Sequence, residues 1–196
     1  TICILDRTPR DFSAEDMALL RDLGAMVERE LLAIHMATID DLTGIANRRG
    51  FMTMAQHALQ LCQRQKVPAS LAFLDLNKFK QINDRFGHAE GDQALRFFAA
   101  QLREHYRESD LCARLGGDEF VVLLTNTDIT RANELTGRLS AALQASALQA
   151  TTEGAEAASY HLSFCHGVVE YDAQRHASIE HLLEDGDRLM YQDKKR

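Results

Sequence analysis

The protein has 196 residues, a length that predicts one full domain and a fragment of another. Apolar residues make up 45% and charged residues 26%, close to the globular average, so disorder and low complexity are excluded for the chain as a whole. The formal net charge of −7, from 22 basic and 29 acidic residues, argues against duplex DNA or an anionic membrane surface as a partner, because both require a basic patch.

The N-terminal part predicts a strand followed by a long helix. Residues 1–5 form a strand-like apolar segment ahead of a turn. Ser13 precedes a helical pattern and has an acidic residue three positions later, which is typical of a helix cap. Leu20, Val27 and Ile34 then recur at intervals of seven. This spacing fits a coiled-coil seam and equally an amphipathic helix that packs on its own domain.

From residue 40 onward, predicted helices and strands alternate irregularly. The helices are expected at residues 48–65, 93–106, 130–147 and 179–194, and the strands at residues 70–74, 111–115, 120–124 and 160–171. Residues 75–92 are predicted as turns, residues 116–119 as a hairpin tip and residues 150–159 as a loop. This order favours an α/β sheet with mixed strand directions that is covered by helices.

The cysteines and the apolar runs indicate the compartment. Cys3, Cys62, Cys112 and Cys165 are scattered without a CxxC pair, which favours reduced thiols and argues against zinc. No apolar run is long enough to cross a bilayer, and no signal peptide is visible. We therefore expect a cytoplasmic protein with no membrane segment in this stretch. Because the chain starts at Thr1 without Met, we also expect it to be a piece of something longer.

Three carboxylates stand where predicted strands end. Asp75 directly follows an apolar strand, and Asp118 and Glu119 lie at the hairpin tip between two others. If these strands are neighbours in the sheet, the carboxylates converge, and their repulsion calls for a hard cation such as Mg²⁺ or Mn²⁺. The pattern is compatible with phosphoryl transfer. It is equally compatible with a strand-end turn residue and a solvated loop.

Polar residues suited to a nucleotide follow Asp75. An Asn and an Asp together can bind a guanine edge, because the amide meets O6 or N3 and the carboxylate accepts from N1–H and the exocyclic amine. Asn83 and Asp92 offer this pair, and adenine has no matching donors. Taken alone, His88 is better interpreted as a turn histidine and Lys78 as a surface residue.

Four stretches, in order and spacing, resemble the motifs of the GGDEF-domain family, the diguanylate cyclases. Residues 115–120, Leu-Gly-Gly-Asp-Glu-Phe, carry the motif that names the family. Residues 40–49 are similar to its opening DxLTGLxNRR motif, residues 75–92 to its DxDxFKxINDxxGHxxGD run, and residues 187–194 to its closing DxALYxAK helix. The match covers residues 38–196, and four ordered motifs are far more specific than one.

The resemblance implies an α/β (α+β) fold related to nucleotidyl cyclases and polymerase palms: a mixed central sheet flanked by helices, with a β-hairpin that carries the GGDEF motif. It implies condensation of two GTP into cyclic di-GMP with release of pyrophosphate. A homodimer is then required, because the 3′-hydroxyl of the GTP on one subunit attacks the α-phosphate of the other. The protein's contribution would be positioning and charge neutralisation with Mg²⁺ or Mn²⁺.

Carried over residue by residue, the resemblance implies that Asp75 and Asp118 hold Mg²⁺, with the Leu76 carbonyl as a further ligand, and that Glu119 supports a second metal. Asp118 is also the family's usual candidate for the base at the 3′-hydroxyl. The implied nucleotide-binding residues are Asn83 and Asp92 at guanine, His88 in the nucleotide site, Lys80 and Lys194 at phosphates, and Gly116 and Gly117 where the backbone approaches them.

Residues 107–110 match the family's inhibitory RxxD motif, which implies that Arg107 and Asp110 bind the cyclic di-GMP product. Arg138 stands where the family often has a second inhibitory arginine. The alternative for the motif is an ion pair at a helix end.

Three features depart from the family pattern. Asn77 replaces the second Asp of the DxD motif, and Cys165 replaces the more usual Ser of a core strand, which we interpret as a packing variant. The chain also ends at Arg196, short of a further phosphate-binding arginine of the family. Position 77 is not the main metal ligand of the family, so we expect activity to survive its change. A module that binds GTP or cyclic di-GMP without turnover is the alternative, against which the intact motif at residues 116–120 and Asp75 argue. An adenylyl-type cyclase is a third hypothesis, against which Asn83 and Asp92 argue.

Residues 1–37 resemble the last strand and exit helix of a GAF-type sensor domain, although the resemblance is short. We therefore divide the chain into a sensor remnant with a linker helix, residues 1–37, and a GGDEF domain, residues 38–196.

Overall fold

The structure is a computed structural model in which residues 11–150 and 158–195 are described. The strand predicted over residues 1–5 and most of the loop predicted over residues 150–159 lie outside this part of the chain. The chain divides between Ala37 and Thr38 into two compact units, and each is described by itself. No helix of the described residues is long and apolar enough to span a membrane.

The described part of the first unit is a single helix, α1 (Ala14–Thr38). Its start is capped as predicted: the Asp16 N–H donates to Ser13 Oγ at 3.1 Å, and the Ser13 N–H donates back to Asp16 Oδ2 at 2.9 Å. Many large apolar side chains of α1 are exposed: Met17, Leu19, Leu23, Met26, Val27, Leu31, Leu32, Ile34 and Met36. Most of these recur at spacings of three, four and seven, so they share one broad face of the helix.

The second unit is built on a five-stranded mixed sheet. Its strands stand in the order β1 (Ala46–Asn47), β3 (Leu111–Gly116), β4 (Glu119–Thr125), β2 (Ala69–Leu76) and β7 (Phe164–Glu170). The pairing of β1 with β3 is parallel, and the other three pairings are antiparallel. A separate two-stranded ribbon joins β5 (Leu148–Ala150) to β6 (Ala158–Tyr160).

Helices cover both faces of this sheet. They are α2 (Arg48–Gln65), α3 (Phe79–Phe86), α4 (His88–His105), α5 (Ile129–Ala145) and α6 (Ile179–Asp193). The central strand β2 is buried along its whole length, because its alternate residues belong to two different cores. Phe73 packs in the core that α2 and α6 cover, whereas Leu74 packs in the core that α3, α4 and α5 cover. The predicted mixed sheet flanked by helices is confirmed.

Two segments differ from the sequence prediction. Residues 75–92 were expected to be turns, yet they contain α3 and the first turn of α4, which meet at Gly87 with a φ of 87°. The Asn, Asp and Gly content of this stretch is typical of loops, but the helix α3 is stabilised because the Ile82 side chain packs in the core. The single strand expected over residues 160–171 is observed as β7, which begins only at Phe164, whereas Tyr160 ends the separate strand β6.

Candidate active site

Three polar residues lie side by side on adjacent strands at one end of the sheet. Asp75 is the penultimate residue of β2 rather than the residue after the strand. It pairs directly with Glu119 of β4 and with Cys165 of β7. Directly opposite residues in antiparallel strands project from the same face, so all three side chains lie on the face that α2 and α6 cover.

The hairpin between β3 and β4 presents Asp118 next to β2. Gly116 and Gly117 have φ angles of 152° and 51°, conformations that glycine adopts without a steric penalty. The Leu76 N–H donates to the Asp118 carbonyl at 3.1 Å, and Arg114 Nε donates to the Gly117 carbonyl at 2.9 Å. The hairpin tip is therefore held on both sides, and Asp118 lies beside the end of the strand that carries Asp75.

Negative charge accumulates at this end of the sheet. Burial raises the pKa of Glu119, and the carboxylates of Asp187, Asp75 and Asp118 raise it further, whereas Arg48 opposes them. Asp75 is 6% exposed, and its Oδ1 accepts a hydrogen bond from Lys194 Nζ at 2.7 Å. That hydrogen bond raises the pKa of Lys194.

Two members of this charge cluster were not assigned by sequence reasoning. Asp187 faces the site from α6, and Arg48 begins α2 with its Nε 3.4 Å from the Leu115 carbonyl. Arg48 and Asp187 both lie in stretches that match family motifs, and this position in a motif is the sequence feature that could have identified them as site residues.

The donor set fits magnesium. Within residues 11–150 and 158–195, no three His, Cys, Asp or Glu side chains converge as a ready-made metal site. Mg²⁺ does not need one, because it is commonly held by one or two carboxylates together with water and substrate phosphates. Asp75, Asp118 and the Leu76 carbonyl could supply such a partial set of oxygen ligands, and the surplus of carboxylates would be neutralised by a divalent ion.

The residues expected at guanine lie on α3 and the first turns of α4. Asn83 packs its side chain against Gly91, so closely that a Cβ at Gly91 would lie 2.9 Å from Asn83 Cγ. Asp92 follows Gly91 directly, and His88 is exposed as the first residue of α4. The structure therefore brings Asn83 beside the helix turn that carries Asp92.

The start of α4 is anchored by a contact that sequence reasoning missed. Glu90 is 6% exposed, and its Oε1 accepts a hydrogen bond from Tyr160 Oη at 2.6 Å. The ring of Tyr160 also stacks on Phe86 at 5.4 Å between centroids. Lys80 is exposed on α3, whereas Lys194 directly follows α6, which covers the opposite face of the sheet.

The RxxD residues form a turn rather than the alternative ion pair at a helix end. Asp110 is 9% exposed, and its carboxylate accepts from the N–H groups of Arg107 at 3.1 Å and of Thr125 at 3.3 Å. Burial raises the pKa of Asp110, and these two hydrogen bonds oppose the rise. Asp110 thus organises the turn that leaves Arg107 exposed.

A cavity of about 420 Å³ lies beside this turn. It is lined by Arg107 and Asp110, by apolar side chains including Ile45 and Met54, and by Arg103, which sequence reasoning did not single out. Arg103 also donates to the Gly44 carbonyl. Arg138 is exposed on α5, a helix that the Thr136 hydroxyl joins to Tyr106 Oη at 3.3 Å.

Comparison with known proteins bears on this site. The family model for "Diguanylate cyclase, GGDEF domain" matches residues 37–196. The chain belongs to the GGDEF family. It is 36% identical over 144 residues to the diguanylate cyclase DgcP of Pseudomonas aeruginosa, a match that covers 69% of this chain and 21% of that relative. The chain thus spans about a fifth of the length of this curated relative.

Solved GGDEF structures have the same fold. The isolated GGDEF domain of TpbB from Pseudomonas aeruginosa is 34% identical, with a TM-score of 0.73 over 80% of this chain and 88% of that one. The coiled coil and GGDEF domain of DgcB from Caulobacter crescentus, solved with c-di-GMP, is 24% identical with a TM-score of 0.77, covering 91% and 94% of the two chains. At that identity the second likeness supports the fold alone.

Proposed function

We propose that this GGDEF domain is a diguanylate cyclase that condenses two GTP into cyclic di-GMP with release of pyrophosphate. The observation that carries the proposal is the position of Asp75, Asp118 and Glu119 in neighbouring strands at one end of the sheet, inside motifs of a family to which this reaction is general. A cluster of carboxylates with flanking lysines is suited to a metal-bound triphosphate.

We assign the following roles in the reaction. Asp75, Asp118 and the Leu76 carbonyl would hold Mg²⁺ or Mn²⁺, and Glu119 would support a second ion. When bound, the metal supplies neutralisation of the phosphate charge. Asp118 would accept the proton of the attacking 3′-hydroxyl, while Lys194 would exchange its contact with Asp75 for a phosphate.

The nucleotide is held by the α3–α4 corner and the hairpin. In this assignment Asn83 and Asp92 bind the guanine edge, and His88 lies beside the nucleotide. The groups that contact phosphates are Lys80, Lys194 and the backbone at Gly116 and Gly117. The packing of Asn83 on Gly91 supports the guanine assignment, because it restricts the Asn83 side chain before the base arrives.

The reaction requires a homodimer, because each subunit holds one GTP and the two must face each other. The exposed apolar side chains of α1, including Leu23, Val27 and Leu31, support pairing of that helix with a second copy. We further propose that residues 1–37 are the end of a GAF-like sensor and its linker helix. A GTP-consuming reaction and reduced thiols both favour the cytoplasm.

Product inhibition would act at the RxxD turn. The cavity beside Arg107 and Asp110 contains a second arginine, Arg103, which suits a dianionic ligand. The DgcB domain of the same fold was solved with c-di-GMP, the ligand that we propose for this site. In this proposal Arg138 contributes from α5.

Incubation of the protein with GTP and Mg²⁺ tests the cyclase proposal. Cyclic di-GMP should form, whereas Asp118→Ala should abolish turnover and retain the melting temperature of the parent protein. If no product forms even when dimerisation is forced and an upstream domain is restored, while nucleotide still binds, the domain is a binding module. Competition of ATP with GTP tests the adenylyl alternative, and formation of cyclic AMP would support it.

The inhibitory site has its own test. Arg107→Ala should raise the cyclic di-GMP concentration needed for half-maximal inhibition, because the Arg107 side chain is exposed beside the cavity and its loss leaves the Asp110 turn intact. An unchanged inhibition curve would remove Arg107 from the product site.

A further inference from the structure

Asn77 ties the end of β2 to the start of β7 and the residue before it through three hydrogen bonds. Its backbone N–H donates to the Ser163 carbonyl at 2.8 Å, and its Nδ2 donates to Ser163 Oγ at 3.1 Å. Its Oδ1 accepts from Cys165 Sγ at 3.0 Å. Both hydrogen-bonding ends of the amide are therefore engaged, and they bind two positions of the same chain segment.

The segment that Asn77 holds connects two parts of the proposed GTP site. Leu76, the proposed carbonyl ligand, precedes it, and Lys78 follows it with a φ of 57° at the start of α3. A left-handed conformation is sparsely populated for a lysine, so surrounding contacts must maintain it. The helix that begins there carries Lys80 and Asn83. A shift at residue 77 would therefore move the metal side and the guanine side together.

Cys165 is placed to join this unit to the carboxylates. It lies opposite Asp75 in the β2–β7 register, so its thiol projects on the carboxylate face. The thiol-to-amide contact gives Cys165 a role beyond the packing expected from sequence. Asn77 and Cys165 are also two of the positions at which the chain departs from the family motifs, and here they contact each other.

Charge gives a reason for a neutral amide at residue 77. At this end of the sheet, Asp75 and Asp118 already lie close enough to Glu119 to raise its pKa. A carboxylate at residue 77 would add to this repulsion, and a thiol is a weak donor that would compensate it poorly. An amide accepts from the thiol and also donates to Ser163 without adding charge.

We propose that Asn77 and Cys165 act as a coupled pair of positioning residues, which holds the Leu76 carbonyl and the start of α3 in the geometry that binds GTP and Mg²⁺. The proposal rests on the proposed cyclase function for its kinetic consequences. Neither residue touches the reacting atoms: both act through residues 76–83.

A double-mutant cycle with Asn77→Ala and Cys165→Ala tests the coupling. One hydrogen bond is worth roughly 1 kcal/mol, a factor of about five. Asn77→Ala should therefore raise the half-saturating GTP concentration about five- to tenfold, and Cys165→Ala about two- to fivefold, with smaller changes in kcat. The double variant should be no worse than Asn77→Ala, because the thiol's partner is already gone. Cys165→Ser, which keeps a donor, should stay within about twofold of the parent.

The matched control is Asn133→Ala. Asn133 is exposed on α5, where its Nδ2 donates to the Ile129 carbonyl at 2.8 Å, so its loss should leave GTP affinity unchanged. Effects of Asn77→Ala and Cys165→Ala that simply multiply in the double variant would overturn the coupling. An unchanged GTP dependence in Asn77→Ala would overturn the positioning role.

Amide hydrogen exchange over residues 76–86 separates this proposal from the cyclase proposal, because it needs no turnover. Both Asn77→Ala and Cys165→Ala should accelerate exchange in that segment, whereas Cys165→Ser and Asn133→Ala should not. If the parent protein lacks cyclase activity but this pattern holds, the cyclase function fails and the positioning pair stands. If exchange in the segment is unaffected by loss of either side chain, the pair is refuted whatever the activity. Should Asn77→Ala fail to fold, the comparison of Cys165→Ala with Cys165→Ser still decides the outcome.

Discussion

Gly167 lies where α6 packs directly against β7. A Cβ at this position would overlap the Gly186 carbonyl oxygen and lie 2.5 Å from the Met190 nitrogen and 2.8 Å from Leu189 Cβ. Two of these three atoms belong to the backbone, so no change of rotamer can relieve the overlap. Gly167→Ala must therefore push α6 away from the sheet.

The magnitude follows from the cost of overpacking, typically about 1–3 kcal/mol. Because backbone must move, we expect the upper part of this range, about 2–3 kcal/mol of unfolding free energy. For a domain of this size each kcal/mol lowers Tm by roughly 2–4 °C, so Tm should fall by about 4–12 °C. GTP turnover should fall as well, because α6 carries Asp187 and ends just before Lys194.

Urea and thermal unfolding of the protein without nucleotide provide the measurement, with Gly137→Ala as the matched control. Gly137 lies inside α5, and a Cβ there would meet nothing within 4 Å. Alanine at that position should stabilise the protein by about 0.5–1 kcal/mol, because it favours the helix and restricts the unfolded chain. If Gly167→Ala is as stable as the parent protein, or if the two substitutions destabilise it equally, α6 does not press on residue 167 as described.

Three further outcomes concern the site. Burial and neighbouring carboxylates raise the pKa of Glu119, so the folded state is stabilised while Glu119 is protonated and loses that stability as the pH rises from the ordinary value of 4.5 through the folded-state pKa. Glu119→Gln should therefore raise Tm at neutral pH in a metal-free buffer, and the gain in Tm should vanish below pH 4.5. Lys194→Met should tighten Mn²⁺ binding in a titration without nucleotide by about two- to fivefold and yet slow GTP turnover, since the ion pair of the exposed Lys194 ammonium with the buried Asp75 carboxylate, worth roughly 0.2–1 kcal/mol, no longer competes with the metal. Weaker Mn²⁺ binding would contradict this. Gly91→Ala should displace Asn83 and raise the half-saturating GTP concentration by about tenfold with little change in Tm, and an unchanged GTP dependence would separate Asn83 from guanine.

Helix boundaries and tight turns could be predicted from the sequence because they depend on interactions between residues that are close in the chain. The helix predicted over residues 48–65 is observed as Arg48–Gln65. Its start is set by the Asn47 side chain, which accepts from the Gly50 N–H, and its end by the left-handed Lys66. The hairpin at Gly116 and Gly117 was predicted for the same kind of reason, since the turn needs positive φ angles that glycine supplies.

Local composition misled where long-range burial decided the outcome. Residues 79–86 have the polar, Asn- and Asp-containing composition of a turn, but Ile82 reaches the core and the segment forms α3. The contact of Cys165 with Asn77, which are 88 residues apart, depends on the pairing of β7 with β2. Asp187 faces Glu119 because α6 crosses that face of the sheet.

The motifs in the sequence indicate which residues are candidates for the chemistry, because these short stretches contain the carboxylates, the lysines and the Asn83–Asp92 pair that we propose for guanine. Tertiary structure decided which of these residues meet. Strand register places Asp75 between Glu119 and Cys165, and the close crossing of α6 over Gly167 precedes the contact of Lys194 with Asp75. Strand register and the position of α6 depend on how two hydrophobic cores pack against the two faces of one sheet. This packing involves residues from the whole domain, so it cannot be inferred from any single segment of the chain.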